Sequence, residues 1–404
     1  MERNVTFDRA RQLLLEAVEP VSRESLSLSL CAGRVLGEDL IAREDVPPFD
    51  RSPYDAFALR GQDTVQASPE TPVTLSVLEE VPAGAMPTRT VGPGGAVKVF
   101  TGTPIPPGAD CVVMFEDTRF DRAQVTLTCP VKAGSNIIRA GEDIRRGSLL
   151  APAGSLIDPG LAGTLAAQGI SSPLVYRKPR VAILSTGSEL TEAEEAPGPG
   201  KIRNSNRYML EAALAALGCE TVYLGIAGDR VEDIAPLMKK GLETCDALIS
   251  TGGVSVGDYD VTPDAMAAAG AELLFRGVNM KPGMACAYGV RAGKPLCALS
   301  GNPASSLTNF YAVAMPALRR LGGYNRPEPP EFPVTLLEGF GKKSRNVRFL
   351  RGQLVLAEGK AAMTLSPDQG NVVLSSAIGC NVMAMIPAGS GPVPAGTVLK
   401  GFLL

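Results

Sequence analysis

RVAILSTGSEL, at residues 180–190, is the stretch that decides the fold, because a strand-like apolar run passes directly into a glycine turn. The same arrangement recurs further along the chain. Residues 221–225 lead to AGDR (227–230), residues 247–250 to TGGVSVGDYD (251–260), and residues 296–299 to SGNP (300–303). Helical periodicity lies between these runs, for example from Asn204 or Ser205 to Leu217. Near-continuous apolar strands that alternate with helices predict a doubly wound, mostly parallel α/β sheet that is covered on both faces.

The glycine turns predict a ligand site at one edge of this sheet. Ligands of open α/β sheets bind beyond the carboxyl ends of the strands. Glycine lets the backbone approach a ligand closely, and the first N–H groups of a helix attract anions. Asn302 followed by Pro303 is typical of a helix N-terminus, and Thr262-Pro263 repeats the pattern. We therefore expect a polar, anionic ligand at this edge.

Acidic residues follow the same strands. Glu189, Asp229, Asp258 and Asp260 all lie in the predicted strand-end turns. A single carboxylate there is usually a helix cap or a solvated turn residue, but four at one edge suggest a hard cation. Mg²⁺ prefers a few carboxylates together with waters and substrate phosphates. Lys281, in NMKPGM (279–284), either pairs with a phosphate or oxyanion or is an ordinary solvated lysine.

Composition excludes several classes of function. The chain has 404 residues, a net charge of −3 and no tryptophan, which argues against a nucleic-acid-binding surface. It has no histidine, so Ser-His and Cys-His triads and His-ligated zinc are excluded. Eight scattered cysteines without a C-x-x-C pair, and no signal-peptide pattern, indicate a cytoplasmic protein. The uncharged run 295–318 contains Ser300, Asn302 and Asn309, so we read a buried strand and helix there and no membrane span.

Changes in pattern along the chain predict four domains. An α/β domain comprises residues 1–20, including an amphipathic helix, and residues 175–326. A small elongated linking domain is discontinuous, at 21–46 and 147–174, with an alternating strand at 27–30. It flanks a β-rich, barrel-like insertion at 47–146. After a proline-rich linker, strands alone predict a C-terminal β-barrel at 327–404.

Two loops of the insertion carry polar side chains on stiffened backbone. In VPPFDRSPYDAFA (46–58), prolines bring Asp50, Ser52 and Asp55 onto one compact loop. In FTGTPIPPGAD (100–110), a strand ends in a glycine turn that bears Thr101. Taken locally, the residues favour an Asx-capped turn for the first loop and a plain strand-to-turn transition for the second.

Seven short segments together carry a family resemblance. They are PPFDxSxxD (47–55), TGxPxPxGAD (101–110), IRxGED (138–143), STGxEL (185–190), GGVSVG (252–257), KPG (281–283) and GNP (301–303). Each segment alone is weak, but in this order they resemble the MoeA type of molybdopterin molybdenumtransferase, which is also found as the E domain of gephyrin. The resemblance covers essentially the whole chain.

This resemblance implies an activity and an assembly. The family inserts molybdate into adenylylated molybdopterin and releases AMP with the help of Mg²⁺. It forms an elongated homodimer whose cleft joins the α/β domain of one subunit to the Pro-Pro-Phe-Asp domain of the other. Transient contacts with a molybdopterin adenylyltransferase and with acceptor molybdoenzymes are implied as well, whereas nucleic acid and membrane are not.

The resemblance also implies roles for individual residues. Asp55 and Thr101 would be catalytic, and Glu189, Asp229 and Asp260 would hold the metal. The implied pterin- and phosphate-binding residues are Ser185, Thr186, Gly187, Glu189, Gly252, Gly253, Ser255, Gly257, Lys281, Gly283, Ser300, Gly301, Asn302 and Pro303.

The sequence departs from the family pattern at a few of these sites. Ala56 and Phe57 stand where Gly and Tyr are usual, and Ala56 would be strained if that position required a positive φ. Met284 replaces a second lysine, and Ser300 replaces the first proline of the Pro-Gly-Asn-Pro turn. Arg51 and Tyr54 replace small or apolar residues beside Asp55.

Three other functions stay open at this point. The chain could be an insertase that prefers tungstate, or a catalytically impaired paralogue that binds the pterin or serves as a scaffold. It could also be an adenylyltransferase, because the α/β domain alone resembles that of molybdopterin adenylyltransferases. The extra β-domains and the Asp55 loop argue against this last reading.

Overall fold

The structure, a computed structural model, describes residues 1–254, 261–357 and 359–404. Its contacts divide the chain into two compact units. The first comprises Met1–Glu38, Ala153–Ala162 and Ser172–Leu404, and the second comprises Asp39–Pro152 and Gly163–Ser171. The finer division into four domains stays a prediction.

The N-terminal segment belongs to the first unit and begins with strand β1 (Glu2–Val5) and helix α1 (Phe7–Ala17). Thr6 caps the helix, since its hydroxyl accepts the Arg9 N–H at 3.3 Å. Phe7, Ala10 and Leu14 are buried on one side, as the apolar spacing predicts. Strand β2 (Arg23–Ser25) follows in the same unit, and β3 (Leu40–Ile41) lies at the start of the second unit.

The strand predicted at residues 27–30 is wrong. Leu28–Leu30 forms a 3₁₀ turn in which the Cys31 N–H bonds to the carbonyl of Leu28 at 3.1 Å. The Ser27 and Ser29 hydroxyls bond to each other at 3.0 Å, and Leu30 is 65% exposed. Alternation produces a strand only when one face is buried, and local serine hydrogen bonds compete with strand pairing.

The insertion in the second unit is a curved six-stranded sheet. Its strands are β4 (Ala56–Leu59), β5 (Val73–Val81), β6 (Gly95–Val99), β7 (Cys111–Met114), β8 (Arg119–Phe120) and β9 (Gln124–Leu127). The order is β7-β4-β6-β5-β9-β8, so the sheet is a half-barrel that does not close. Strand β4 lies where the sequence indicated only a loop. Both of its faces are buried, and it therefore lacks the alternation that marks a half-exposed strand.

Two antiparallel pairs join segments that are far apart in the chain. Strand β10 (Leu149–Ala151) pairs with β3. Helix α2 (Pro159–Ala167) follows, and β11 (Leu174–Tyr176) then pairs with β2. These pairs connect the stretches before and after the half-barrel.

The α/β region of the first unit contains most of the helices. Its elements are β12 (Arg180–Thr186), β13 (Leu190–Thr191), β14 (Ile202–Arg203), α3 (Ser205–Ala216), β15 (Glu220–Ala227), α4 (Val231–Thr244), β16 (Ala247–Thr251), α5 (Thr262–Ala268), β17 (Glu272–Val278), β18 (Met280–Lys281), β19 (Cys286–Arg291), β20 (Lys294–Leu299), α6 (Pro303–Asn309), a π-helical turn (Phe310–Ala314) and α7 (Met315–Leu321).

The central sheet is mostly parallel, which confirms the predicted fold class. Its order is β1-β17-β19-β20-β16-β12-β15. Strands β20, β16, β12 and β15 are parallel neighbours, so their carboxyl ends meet at one edge. Strand β19 runs antiparallel to both of its neighbours. Alternate residues of β12 enter two separate cores, with Val181 and Ile183 on one face and Ala182 and Leu184 on the other.

A five-stranded barrel ends the chain, as predicted. Its strands are β21 (Phe332–Leu336), β22 (Val347–Ala357), β23 (Lys360–Leu365), β24 (Val382–Ile386) and β25 (Val398–Leu403). The order β22-β23-β21-β25-β24 closes because β22 also pairs with β24. Strand β18 of the α/β region adds to β22 in parallel. Within the described ranges, no helix has the length and apolar character needed to cross a bilayer.

Candidate functional site

The loops at the carboxyl edge of the central sheet are tied to one another by hydrogen bonds. The Thr186 hydroxyl donates to the carbonyl of Thr251 at 3.1 Å, and the Gly187 N–H donates to that of Ala227 at 3.1 Å. The Gly252 N–H bonds to the carbonyl of Leu299 at 3.0 Å. The structure thus brings together the turns at 185–189, 227–229, 252–253 and 300–303, as the sequence predicts.

Two of these turns require glycine for steric reasons. Gly252 has φ +99°, and a Cβ there would lie 2.2 Å from the carbonyl oxygen of Thr186. Gly253 has φ +62°, and a Cβ there would lie 2.4 Å from the Thr262 hydroxyl. The missing side chains let the loops after β12 and β16 pack against each other, which holds backbone groups close to the edge.

Helix ends beside this edge differ in detail from the sequence prediction. Asn302 does precede α6, with Pro303 at its first position, but the Asn302 side chain makes no capping bond. The backbone N–H of Asn302 instead donates to the Ser300 hydroxyl at 3.2 Å. Thr262 is not a cap, because it is the first residue of α5 and follows Val261. The Thr262 hydroxyl donates to the carbonyl of Gly252 at 3.3 Å and so ties α5 to the glycine turn.

Two of the predicted metal ligands lie on these loops. One oxygen of Asp229 accepts the Ser188 N–H at 3.0 Å, and the Glu189 carboxylate folds back over Gly187. Each carboxylate has more acceptor positions than these contacts use, so each keeps oxygen lone pairs of the kind that Mg²⁺ takes alongside waters and phosphate oxygens. No group of three metal-ligating side chains occurs among the residues the structure describes. Asp260, together with Ser255, Gly257 and Asp258, lies outside those residues.

Sequence reasoning missed two asparagines at the start of α3. Asn204 donates to the Ser185 hydroxyl at 2.8 Å and to the Tyr223 phenol at 3.2 Å. Asn206, which is buried, donates to the carbonyl of Gly301 at 2.9 Å. These amides connect α3 to the turns after β12 and β20. The cap position of Asn204 was recognisable, but its second role, like that of Asn206, depends on partners distant in the chain.

The Tyr223 phenol extends this network away from the edge. It donates to Glu192 at 2.7 Å, while Arg207 stacks over its ring at 3.8 Å and pairs with Glu192 at 3.1 Å. Burial, followed by the Glu192 carboxylate, raises the pKa of Tyr223, so the phenol stays protonated. We interpret this network as support for the turn that carries Ser185.

Lys281 and Gly283 line a cavity that we call the cationic cavity. Its volume is about 420 Å³. The lining residues are Met280, Lys281, Pro282, Gly283 and Met284 from the α/β region and Lys343, Arg345, Asn346, Arg348 and Asn371 from the barrel. Four of them are cationic, and none of the described residues that line it is acidic. Lys281 therefore shares this lining with three other cationic side chains. Neither Glu189 nor Asp229 contributes to it.

Arg348 is held rigidly at this cavity. Its Nε donates to the Ser344 hydroxyl at 2.9 Å, and its guanidinium stacks over the Phe340 ring at 5.0 Å. Burial lowers the pKa of Arg348, although an arginine remains charged at neutral pH. A cation in such partly buried surroundings attracts an anion more strongly than a solvated one does.

The half-barrel unit brings Asp55 and Thr101 together. Oδ1 of Asp55 accepts both the Thr101 N–H at 2.9 Å and the Thr101 hydroxyl at 3.0 Å. The neighbouring Asp50 is occupied differently, since it accepts the Ala140 N–H at 2.8 Å and pairs with Arg139 at 2.6 Å. The Ala140 N–H, together with Arg139, lowers the pKa of Asp50. We therefore assign Asp50 to loop structure and keep Asp55 as the candidate for chemistry.

Departures beside Asp55 do not distort the loop. Ala56 begins β4, where it pairs with Val99 and Met114, and it is not among the residues with positive φ. The expected strain at Ala56 is thus absent. Ser52 is fully buried and donates to the carbonyl of Tyr54 at 2.7 Å, which fixes the turn just before Asp55.

Family models match two long parts of the chain. Residues 5–169 match the MoeA N-terminal region (domain I and II), and residues 182–320 match a probable molybdopterin binding domain. The solved structure of a molybdopterin biosynthesis MoeA protein from Pyrococcus horikoshii OT3 is 31% identical. It superposes with a TM-score of 0.86, covering 99% of this chain and 100% of that one. A molybdenum cofactor biosynthesis protein from Pyrococcus furiosus, 18% identical with a TM-score of 0.62 over 99% of both chains, shares the fold.

Relatives with assigned activity are similar over almost the full length. A molybdopterin molybdenumtransferase from Staphylococcus epidermidis is 36% identical over 398 residues, which is 97% of this chain and 94% of the relative. One from Staphylococcus aureus is 35% identical over 372 residues, 92% of this chain and 89% of the relative. The chain therefore belongs to the molybdopterin molybdenumtransferases, the MoeA-type enzymes of molybdenum cofactor biosynthesis.

Proposed function

We propose that this enzyme inserts molybdate into adenylylated molybdopterin and releases AMP with the assistance of Mg²⁺. The observation that carries the proposal is the cationic cavity, which gathers four positive side chains and no described carboxylate in the same unit as the strand-end loops. A doubly charged tetrahedral oxyanion requires such surroundings, and a phosphorylated pterin requires glycine loops and hydroxyls. The two kinds of site together suit the two substrates of an insertase.

Molybdate is the substrate that we assign to the cationic cavity. Its volume of about 420 Å³ is many times the minimum that one water molecule needs, which leaves room for an oxyanion with part of its hydration shell. Arg345 and Arg348 supply planar forks of N–H donors, while Lys281 and Lys343 supply compact charges. Asn346 and Asn371 add neutral polar groups that complete the lining.

The strand-end loops are the part that we assign to the phosphorylated pterin. Ser185, Thr186 and Gly187 would contact it together with the turns that carry Gly252, Gly301 and Asn302. Glu189 and Asp229, with Asp260 from the same predicted set, would hold Mg²⁺ there. When bound, this ion would neutralise negative charge on the phosphate oxygens. Charge stabilisation of this kind does not require a strong base, which suits a chain without histidine.

Asp55 is the residue that we assign to catalysis. Thr101 engages Oδ1 with two hydrogen bonds, and this orients the carboxylate so that Oδ2 is the oxygen we assign to the substrate. In the proposed homodimer, the Asp55 loop of one subunit serves the strand-end site of its partner. Contacts with a molybdopterin adenylyltransferase and with acceptor molybdoenzymes are part of the same proposal.

Reconstitution with purified substrates tests the proposal. The enzyme is mixed with adenylylated molybdopterin, Mg²⁺ and molybdate, and both AMP release and cofactor formation are measured. We expect AMP release that depends on molybdate and on Mg²⁺. Pterin binding without any AMP release would instead identify a binding or scaffold protein. Faster turnover with tungstate would identify a tungstate-preferring insertase, and ATP-dependent formation of the adenylylated pterin would identify an adenylyltransferase.

A further inference from the structure

A buried chain of polar groups lies behind the cationic cavity. Asn309, the last residue of α6, is fully buried, and its amide nitrogen donates to the carbonyl of Gly283 at 2.7 Å. The amide oxygen of Asn309 accepts the phenol of Tyr288, which is also fully buried. Tyr288, Asn309 and Gly283 therefore form a continuous relay, and it ends in the loop that carries Lys281.

This loop is pressed closely against α6. Gly283 has φ +98°, and a Cβ there would lie 3.2 Å from the carbonyl oxygen of Ser305. On the opposite side, β18 attaches the loop to the barrel, with Lys281 beside Arg348 in the register. The Asn309 amide thus fixes the helix side of a loop whose other side bears a cation of the cavity. Because Lys281 is only two residues before Gly283, a shift of the Gly283 carbonyl would also move the backbone of Lys281.

Packing alone does not account for this relay. Phe275 stacks on the Tyr288 ring at 4.9 Å, and Phe310 is fully buried in the same apolar cluster. An apolar pair of similar size would fill such a core without the cost of burying an amide and a phenol. A satisfied buried polar network instead selects one geometry of the groups that it joins. The helix also changes to π geometry directly after Asn309, a feature that frequently accompanies functional sites.

We propose that Asn309 is a positioning residue for the oxyanion substrate. By holding the carbonyl of Gly283, it sets the course of the 281–284 loop and directs the Lys281 ammonium toward Lys343, Arg345 and Arg348. This inference rests on the proposed function of the cationic cavity as the molybdate site. Neither Asn309 nor Tyr288 lines the cavity, so both act on it through the 281–284 loop.

Calorimetric titration with sodium molybdate tests the role in the full-length enzyme. Asn309→Leu keeps the branched shape of the side chain but leaves the Gly283 carbonyl and the Tyr288 phenol without this partner. We expect about tenfold weaker molybdate binding, because a displaced cation loses charge-assisted contact, and a lower melting temperature as well. In steady-state assays, the KM for molybdate should rise more than kcat falls.

A second variant separates positioning from stability. Tyr288→Phe combined with Asn309→Leu removes both buried polar groups, so the melting temperature should recover toward wild type. Molybdate binding should stay weak, since Gly283 still lacks its donor. Ser306→Ala is the matched control. Ser306 is buried on the same helix, and its hydroxyl has no hydrogen-bond partner among the described residues. This variant should retain both affinity and stability.

The outcomes distinguish the inference from the function on which it rests. If the wild-type enzyme and Lys281→Ala bind molybdate equally poorly, the assignment of the cavity fails. If the wild-type enzyme binds, Lys281→Ala does not, and the double variant binds as tightly as wild type, then Asn309 serves packing alone and the inference is overturned.

Discussion

Asp55 differs from its neighbour Asp50 in the way in which its carboxylate is held. Thr101 directs two hydrogen bonds to the same oxygen, whereas nearby Asp50 is occupied by Arg139 and the Ala140 N–H. Both carboxylates lie on the proline-rich loop that the sequence singled out. The prediction that this loop carries chemistry depended on the family resemblance, because the local pattern alone favours an ordinary turn.

We expect Asp55→Asn to abolish AMP release while leaving pterin binding within about twofold of wild type. The amide is nearly isosteric but cannot accept a proton as a carboxylate does. Thr101→Val, which keeps the N–H bond and loses the hydroxyl bond, should retain an intermediate rate, lower by about tenfold. Turnover assays and pterin titrations check both variants. Unchanged turnover of Asp55→Asn would remove this residue from the mechanism.

Met284 is the residue of the cationic cavity at which the family usually has a second lysine. It is half exposed, and its sulfur lies 4.0 Å from the Asn346 amide nitrogen. Met284→Lys adds a charge to the lining, so molybdate affinity should rise about three- to tenfold and become more sensitive to salt. Leu356→Lys, at a residue that is 84% exposed and outside the lining, controls for net charge. Equal gains in both variants would contradict a local effect.

At the scale of elements, the strands that the sequence indicated best are those buried on both faces of the central sheet. The apolar runs at 181–184 and 247–249 each lead into a glycine turn, and a continuous apolar run of this kind is typical of a buried parallel strand. The serine-leucine alternation at 27–30 predicted a strand wrongly, because these residues form a 3₁₀ turn and pair with no described strand. Strand β4 was not predicted because all four of its residues are buried, so its sequence lacks the alternation of polar and apolar residues.

The turn after β16 offers a matched test of how these elements meet. Gly252 and Gly225 share φ +99°, but a Cβ at Gly252 would strike the carbonyl of Thr186, whereas a Cβ at Gly225 would meet nothing within 4 Å. Both alanine variants should lose about 1 kcal/mol of stability through the backbone. Only Gly252→Ala should also lose pterin affinity, because it must push the loops after β12 and β16 apart. Thermal unfolding and pterin titration provide the comparison, and equal affinities would contradict it.

For the whole molecule, the proposal of a homodimer with shared sites leads to a complementation experiment. Asp55→Asn and Glu189→Gln should each be inactive alone. After subunit exchange, the mixture should recover about a quarter of the wild-type rate, since half of randomly mixed dimers are hybrids that keep one intact site. Size-exclusion chromatography establishes the assembly. A dimeric mixture without recovered AMP release would show that each subunit works with its own Asp55.

The sequence by itself determined the wound sheet and the edge at which its glycine turns gather. Parallel strands end on the same side wherever they lie in the chain, so local pattern suffices for that conclusion. Only the tertiary structure decided that Lys281 lines a cavity together with Lys343, Arg345 and Arg348. That outcome depends on the pairing of β18 with β22 of the barrel and on a hydrogen bond between Asn309 and Gly283, residues separated by 26 positions. Contacts between distant segments follow from packing, which no local pattern records.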